Sequence, residues 1–132
     1  MAVTDLKMHP NGKATVKTIH VPFTSATGQT DKVVRRIKPG YRFEVVEVQV
    51  DVDTVTATIS ANAKIGSTSV LASAITPVAA TPTNGTMATS RSARRGSATS
   101  VLSLMYTSNG SGAVTNGAFL VTIRPYPLNG EV

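Results

Sequence analysis

The chain has 132 residues with no cysteine and no tryptophan, and its formal net charge is +6. This length suits one domain with one hydrophobic core, and the absence of cysteine excludes disulfides, thiolate nucleophiles and thiolate metal sites. No Asp or Glu occurs between Thr54 and Gly130, so the C-terminal half is wholly cationic, which favours an acidic partner. The sequence predicts a single domain over residues 1–132, with residues 1–13 as an extended N-terminal arm.

Turn signals divide the first half of the chain into short strands. Residues 14–21 alternate well enough for a strand, residues 32–37 are predicted as a second short strand, and Pro39-Gly40 after it predicts a type II turn. Asn-Gly occurs five times, at residues 11, 84, 109, 116 and 129, and this dipeptide is typical of a type I′ turn between antiparallel strands. The chain is therefore expected to reverse direction often.

Residues 41–53 carry the clearest strand pattern. Four valines alternate there with polar residues, which predicts one buried face made of Val46, Val48, Val50 and Val52. Phe43 and Val45 fall on the other parity, so the pattern changes phase at Val45-Val46. A β-bulge at this point would explain the change.

The remaining strands are predicted over residues 55–59, 65–75, 99–107 and 119–123. Residues 65–75 also suit two helical turns, but the all-β context favours a strand with Val70 and Leu71 inside. The last two strands are expected to bury Leu102, Leu104, Tyr106, Phe119, Val121 and Ile123. The fold class is all-β: a single β-sandwich, jelly-roll-like, of seven to eight short antiparallel strands.

Residues 76–100 form the longest irregular region, and loops of this length in a compact domain are usually functional or disordered. Within it the segment SRSARRGS places Arg91, Arg94 and Arg95 among small residues, where guanidinium groups can grip carboxylates or phosphates. The alternative is a solvated loop tip. We predict that these three arginines, together with Arg124, contact an acidic partner.

No catalytic or metal-binding pattern is apparent. The acids Glu44, Glu47, Asp51 and Asp53 are clustered, but the last three share one strand face at a period of two, which is typical of a solvated face. His9 and His20 have no second ligand nearby in sequence, and no G-x-S-x-G motif occurs. We therefore predict no enzyme activity, no metal site and no cofactor.

A membrane location is also not predicted. Residues 65–90 and 96–123 lack charge, but the first contains prolines and many hydroxyl residues, and the second contains Asn-Gly twice. The first ten residues carry no apolar run that would serve as the core of a signal peptide. These features predict a soluble protein that folds in the cytoplasm.

Three passages resemble the small capsid-decoration (cement) proteins of tailed bacteriophages. They are VLASAITPVAATPTNGT (residues 70–86), YTSNGSGAVTNGAFLVTIRPYPLNGE (106–131) and IKPGYRFEVVEVQVDVDTVTATIS (37–60). The resemblance implies a virion protein, assembled in the host cytoplasm, that binds the outside of an icosahedral head as a homodimer or homotrimer. It implies the major capsid protein as partner, no active site and no cofactor, and it transfers no contact residue.

Two other classes remain open from the residues alone. A receptor- or carbohydrate-binding β-sandwich on a virion fibre would normally expose Trp or Tyr for sugar stacking, and this chain has no Trp and three Tyr. A basic β-barrel that binds nucleic acid would be expected to interleave aromatic and basic residues, but no aromatic residue lies between Phe43 and Tyr106. Both are therefore alternatives to capsid binding.

Overall fold

The computed structural model describes residues 16–56, 58–109 and 114–126. In these ranges the chain is all-β, with eleven strands and one short 3₁₀ helix, η1 (Arg91–Arg94). Six strands are long: β1 (Lys17–Phe23), β2 (Lys32–Ile37), β3 (Phe43–Asp51), β5 (Ile59–Ile65), β9 (Leu102–Ser108) and β11 (Gly117–Pro125). Five have two residues each: β4 (Thr54–Val55), β6 (Thr68–Ser69), β7 (Thr83–Asn84), β8 (Arg95–Gly96) and β10 (Val114–Thr115).

The strands pair into two antiparallel sheets and one short ribbon. Sheet A has the order β1-β11-β3-β7, and β8 also pairs with β3. Sheet B has the order β2-β9-β5-β6, and β10 pairs with β4 in the ribbon. Strands β1 and β2 are therefore the outermost strands of their sheets.

Both sheets contribute to one hydrophobic core. Phe23 of sheet A stacks on Tyr106 of sheet B with ring centroids 5.9 Å apart, and on Phe119 at 5.0 Å. The buried cluster includes all the residues that the sequence placed inside strands 65–75, 99–107 and 119–123: Val70, Leu71, Leu102, Leu104, Tyr106, Phe119, Val121 and Ile123. Alternation at a period of two located the last six of these residues correctly, whereas Val70 and Leu71 are adjacent and both buried.

The phase change in β3 is a β-bulge, as predicted. Thr122 of β11 pairs with Glu47 and the next residue, Ile123, pairs with Val45, so Val46 is the extra residue of β3. The bulge puts Val45 and Val48 on the same buried face, whereas Val46 is 41% exposed. The prediction that Val46 shares the buried face was therefore wrong, because the pattern was extended through the residue that breaks it.

The predicted turn at Gly40 agrees with the structure, whereas another predicted turn and one strand differ from it. Gly40 has φ +85°, as a type II turn requires. Asn84-Gly85 is not a type I′ turn, because Asn84 lies in β7; a Cβ at Gly85 would lie 2.7 Å from the Leu71 side chain, so close packing explains this glycine. Residues 55–59 are not one strand, because β4 ends at Val55 and β5 begins at Ile59.

The number of strands exceeds the predicted seven to eight because of the five two-residue strands. A two-residue strand has no periodic pattern, so pairing with a neighbour is what defines it. Residues 65–75 form no helix and no continuous strand: they contain the last residue of β5, the short strand β6, and the bridging residues Leu71 and Ile75. The N-terminal arm and the Asn-Gly pairs at residues 11 and 129 lie outside the described residues.

Among the residues that the structure describes, no helix is long and apolar enough to cross a membrane.

Candidate functional site: arginines around a buried glutamate

The buried charged residue among those described is Glu44, the second residue of β3, and sheet A brings cations to it from both sides. Arg124 on β11 lies directly opposite Glu44 on one side, and Arg95 on β8 lies opposite it on the other. Directly opposed residues of antiparallel strands point to the same face, so both guanidinium groups reach one carboxylate. Arg94 joins them from η1. We call Arg94, Arg95 and Arg124 the arginine cluster.

Glu44 accepts hydrogen bonds and ion pairs on both of its carboxylate oxygens. Arg124 donates Nε to Oε1 at 3.1 Å and Nη2 to the same oxygen at 2.5 Å. Arg94 Nη1 lies 3.3 Å from Oε2, and Arg95 Nε lies 3.8 Å from Oε1. Charge-assisted hydrogen bonds of this kind are stronger than neutral ones, so Glu44 anchors the three side chains.

The arginine cluster has more positive charge than Glu44 neutralises. Three guanidinium groups face one carboxylate, which leaves two positive charges in excess. The Glu44 side chain is 4% exposed, and the arginines are 18–21% exposed. Arg94 Nε and Arg95 Nε are buried with no hydrogen-bond partner among the described residues. The three arginine side chains are each about one-fifth exposed, so their excess positive charge suits the cluster to bind a further anion.

An aromatic ring fixes the outer side of the cluster. The Arg95 guanidinium carbon lies 3.6 Å from the centroid of the Tyr126 ring, and that of Arg42 lies 5.4 Å from it. Tyr126 is held in turn by its backbone N–H, which donates to the Arg42 carbonyl at 2.9 Å. Stacking on an aromatic face favours a guanidinium without neutralising it. Arg95 is thus held in place and keeps its full charge.

The cluster is also tied to the hydrophobic core through Gly96. Gly96 pairs with Phe43, the residue before Glu44, and a Cβ at Gly96 would lie 2.5 Å from the fully buried Phe43 ring. Only glycine fits in that space. The short strand β8 therefore lies flat against Phe43, which brings Arg95 over Glu44.

Three of the four predicted contact residues belong to this one site, whereas Arg91 stands apart from Glu44 and is exposed at the start of η1. The segment 76–100 is less irregular than predicted, because β7 and β8 attach it to β3. Sequence reasoning missed Glu44 as the common partner. Arg124 is 80 residues away from it, so no local spacing could have indicated the pairing.

The other acids of the predicted cluster do not converge with Glu44. Asp53 accepts a hydrogen bond from Asn116 Nδ2 at 2.9 Å, and Glu47 is exposed opposite Thr122. In the parts of the chain that the structure describes, no three His, Cys, Asp or Glu residues are grouped so as to hold a metal ion. What this arrangement can do chemically is bind an anion.

No family model, no curated protein and no solved structure matches this chain significantly.

Proposed function

We propose that this chain is a structural virion protein that binds the outer surface of an icosahedral phage capsid and stabilises it by clamping neighbouring capsomers. The observation that carries the proposal is the unneutralised charge of the arginine cluster, held rigidly on sheet A. A cement protein needs a stiff fold with fixed groups complementary to its lattice. We infer that the partner is a phage capsid because residues 37–60, 70–86 and 106–131 resemble phage decoration proteins.

The fold suits this role. The two antiparallel sheets share one core, and we infer that they pack as a β-sandwich of the jelly-roll-like type. Sheet A ends on β1, whose outer edge pairs with no other strand among the described residues, and pairing of copies around a two- or three-fold axis would cover this edge. The proposed partners are the major capsid protein and further copies of this chain as a dimer or trimer.

In this proposal Arg91, Arg94, Arg95 and Arg124 bind carboxylates of the capsid exterior, with no need of an active site or a cofactor. The four differ in how cleanly they can be tested. Arg94, Arg95 and Arg124 also hold Glu44, so their replacement would disturb the fold as well as binding. Arg91 is exposed and has no ion pair among the described residues, which makes it the informative position.

The proposal is tested first by electron microscopy of purified particles that carry this chain. Density for the protein should repeat on the outside of the head, as dimers or trimers that bridge capsomers. Particles without such density, or with the protein inside the head beside the genome, would contradict the proposal; the second result would favour nucleic-acid binding.

The contact residue is tested separately by cosedimentation with heads that lack the protein. Arg91→Ser should weaken attachment about two- to fivefold per contact, the effect of one exposed ion pair, and should not change the melting temperature. Salt near 1 M should abolish the difference, because it shortens the screening length to about 3 Å. Lys17→Ser, which removes an exposed cation from β1, is the matched control. Equal attachment of both variants at every salt concentration would refute the role of Arg91.

A further inference from the structure

Strand β2 presents an unpaired edge at the side of sheet B. It pairs with β9 on one side only, and no backbone group of Lys32–Ile37 bonds to anything on its other side within the described residues. Free N–H and C=O groups along an edge can accept an extended segment as an additional strand. The backbone itself therefore points to an extended polypeptide as the ligand.

The charges on and beside β2 select the kind of segment. Four cations occur within seven residues and have no acidic partner among the residues described, namely Lys32, Arg35, Arg36 and Lys38. The nearest acid in sequence, Asp31, is engaged elsewhere: its Oδ2 lies 3.8 Å from Lys64 Nζ and its Oδ1 accepts from Thr107 at 3.3 Å. The edge is therefore complementary to an acidic segment.

The same features oppose pairing of β2 with itself. Basic residues and a bulge are common means of protecting an edge strand, and β2 has an extra residue, Val34, between Val33 and Arg35. Two copies of β2 side by side would place like charges opposite each other, which is unfavourable. An acidic strand paired with β2 would instead place opposite charges next to each other, which is favourable.

A groove at the end of β2 offers a place for an acidic side chain. It has a volume of about 510 Å³ and is lined by Arg36, Ser103, Ile65 at the end of β5, the turn residue Gly66, and the segment 99–101. Arg36 lies directly opposite Ser103, and within the described ranges neither side chain has a hydrogen-bond partner. A guanidinium and a hydroxyl on one face would together bind a carboxylate.

We propose that the free edge of β2 binds an extended acidic protein segment as an added strand, with one carboxylate of that segment held by Arg36 and Ser103 in the groove. The backbone of β2 provides the pairing, and the four cations select against neutral or basic segments. This site lies on sheet B, separate from the arginine cluster, and the inference holds whether or not the partner is a capsid.

The test is a titration of the full-length, isotopically labelled protein with a six-residue peptide of alternating Thr and Glu, matched in length to β2 and followed by NMR. Thr suits a strand, and alternation places every Glu on one face. We expect shifts centred on the amides of β2 and on Ser103, and slower hydrogen exchange along β2. The control peptide, in which Gln replaces Glu, should bind at least fivefold more weakly.

Two variants locate the carboxylate. Arg36→Gln should weaken binding of the Thr-Glu peptide about fivefold, whereas Lys17→Gln on the edge of sheet A should leave it within about twofold. Arg36 is exposed, so this substitution is expected to leave the spectrum of the free protein otherwise unchanged. Ser103→Ala should weaken binding in the same direction by a smaller factor.

Several results would overturn the inference. Equal affinity for the Gln peptide would remove acidic selection, and shifts confined to other strands would remove β2 as the site. Two results together would mean a simple anion pocket without strand addition: inorganic phosphate reproduces the shifts of Arg36 and Ser103, and the peptide leaves hydrogen exchange of β2 unchanged. Absence of any shift would mean that the charges only protect the edge.

Discussion

Glu44→Gln is the substitution that best tests the central role of the buried carboxylate. Glutamine keeps the shape of the side chain and its Oε1 acceptor but removes the negative charge. Arg124, at 2.5 and 3.1 Å from Oε1, and Arg94, at 3.3 Å from Oε2, would then face each other with nothing to offset their repulsion. We expect the folded state to be destabilised.

The size of the effect follows from burial. Removing one partner of a fully buried ion pair costs about 3–5 kcal/mol. The arginines are each about one-fifth exposed, so water screens part of the charge, and we expect a loss of about 2–3 kcal/mol in the free energy of unfolding. For a chain of this length 1 kcal/mol corresponds to about 4 °C in melting temperature, which gives a decrease of about 8–12 °C.

Thermal and urea denaturation followed by circular dichroism provide the measurement. Glu47→Gln is the matched control, because Glu47 is an exposed acid on the same strand, and it should change stability by less than about 0.5 kcal/mol. Combined with Arg124→Gln, the Glu44 substitution should show a coupling energy of at least about 1 kcal/mol. A Glu44→Gln protein as stable as wild type, or strictly additive effects in the double variant, would refute the reasoning.

Two further predictions follow from β3 and from the turn before it. Val48→Thr should cost about 1–3 kcal/mol because it buries a hydroxyl, whereas Val46→Thr should change stability by less than about 0.5 kcal/mol because Val46 is the bulge residue; equal effects in urea denaturation would contradict the register. Burial raises the pKa of Tyr41 above its ordinary value of 10.0. The folded state therefore resists ionisation, so this contribution to stability is present below pH 10 and is lost as the pH rises through the raised pKa. Alkaline absorbance titration should show a late phenolate that Tyr41→Phe removes.

The bulge in β3 shows how much the sequence alone predicted. Alternation at a period of two identified Val48, Val50, Phe119 and Val121 as core residues, because side chains of a strand point alternately to its two faces whatever the strand pairs with. The break in that alternation at Val45-Val46 located the bulge itself. The side-chain alternation and the bulge are local properties. Residues within a few positions of each other in sequence contain all the information needed to predict them.

The pairing of strands is different, and only the tertiary structure decided it. Glu44 is buried because β3 lies between β11 and β8, and these bring Arg124 and Arg95 to it from distant parts of the chain. Many registers satisfy the same alternation, and the choice among them depends on the packing of the whole core. Composition showed that the C-terminal half is cationic. Which cations are held by Glu44, and which remain free on the edge of β2, was fixed by long-range pairing alone.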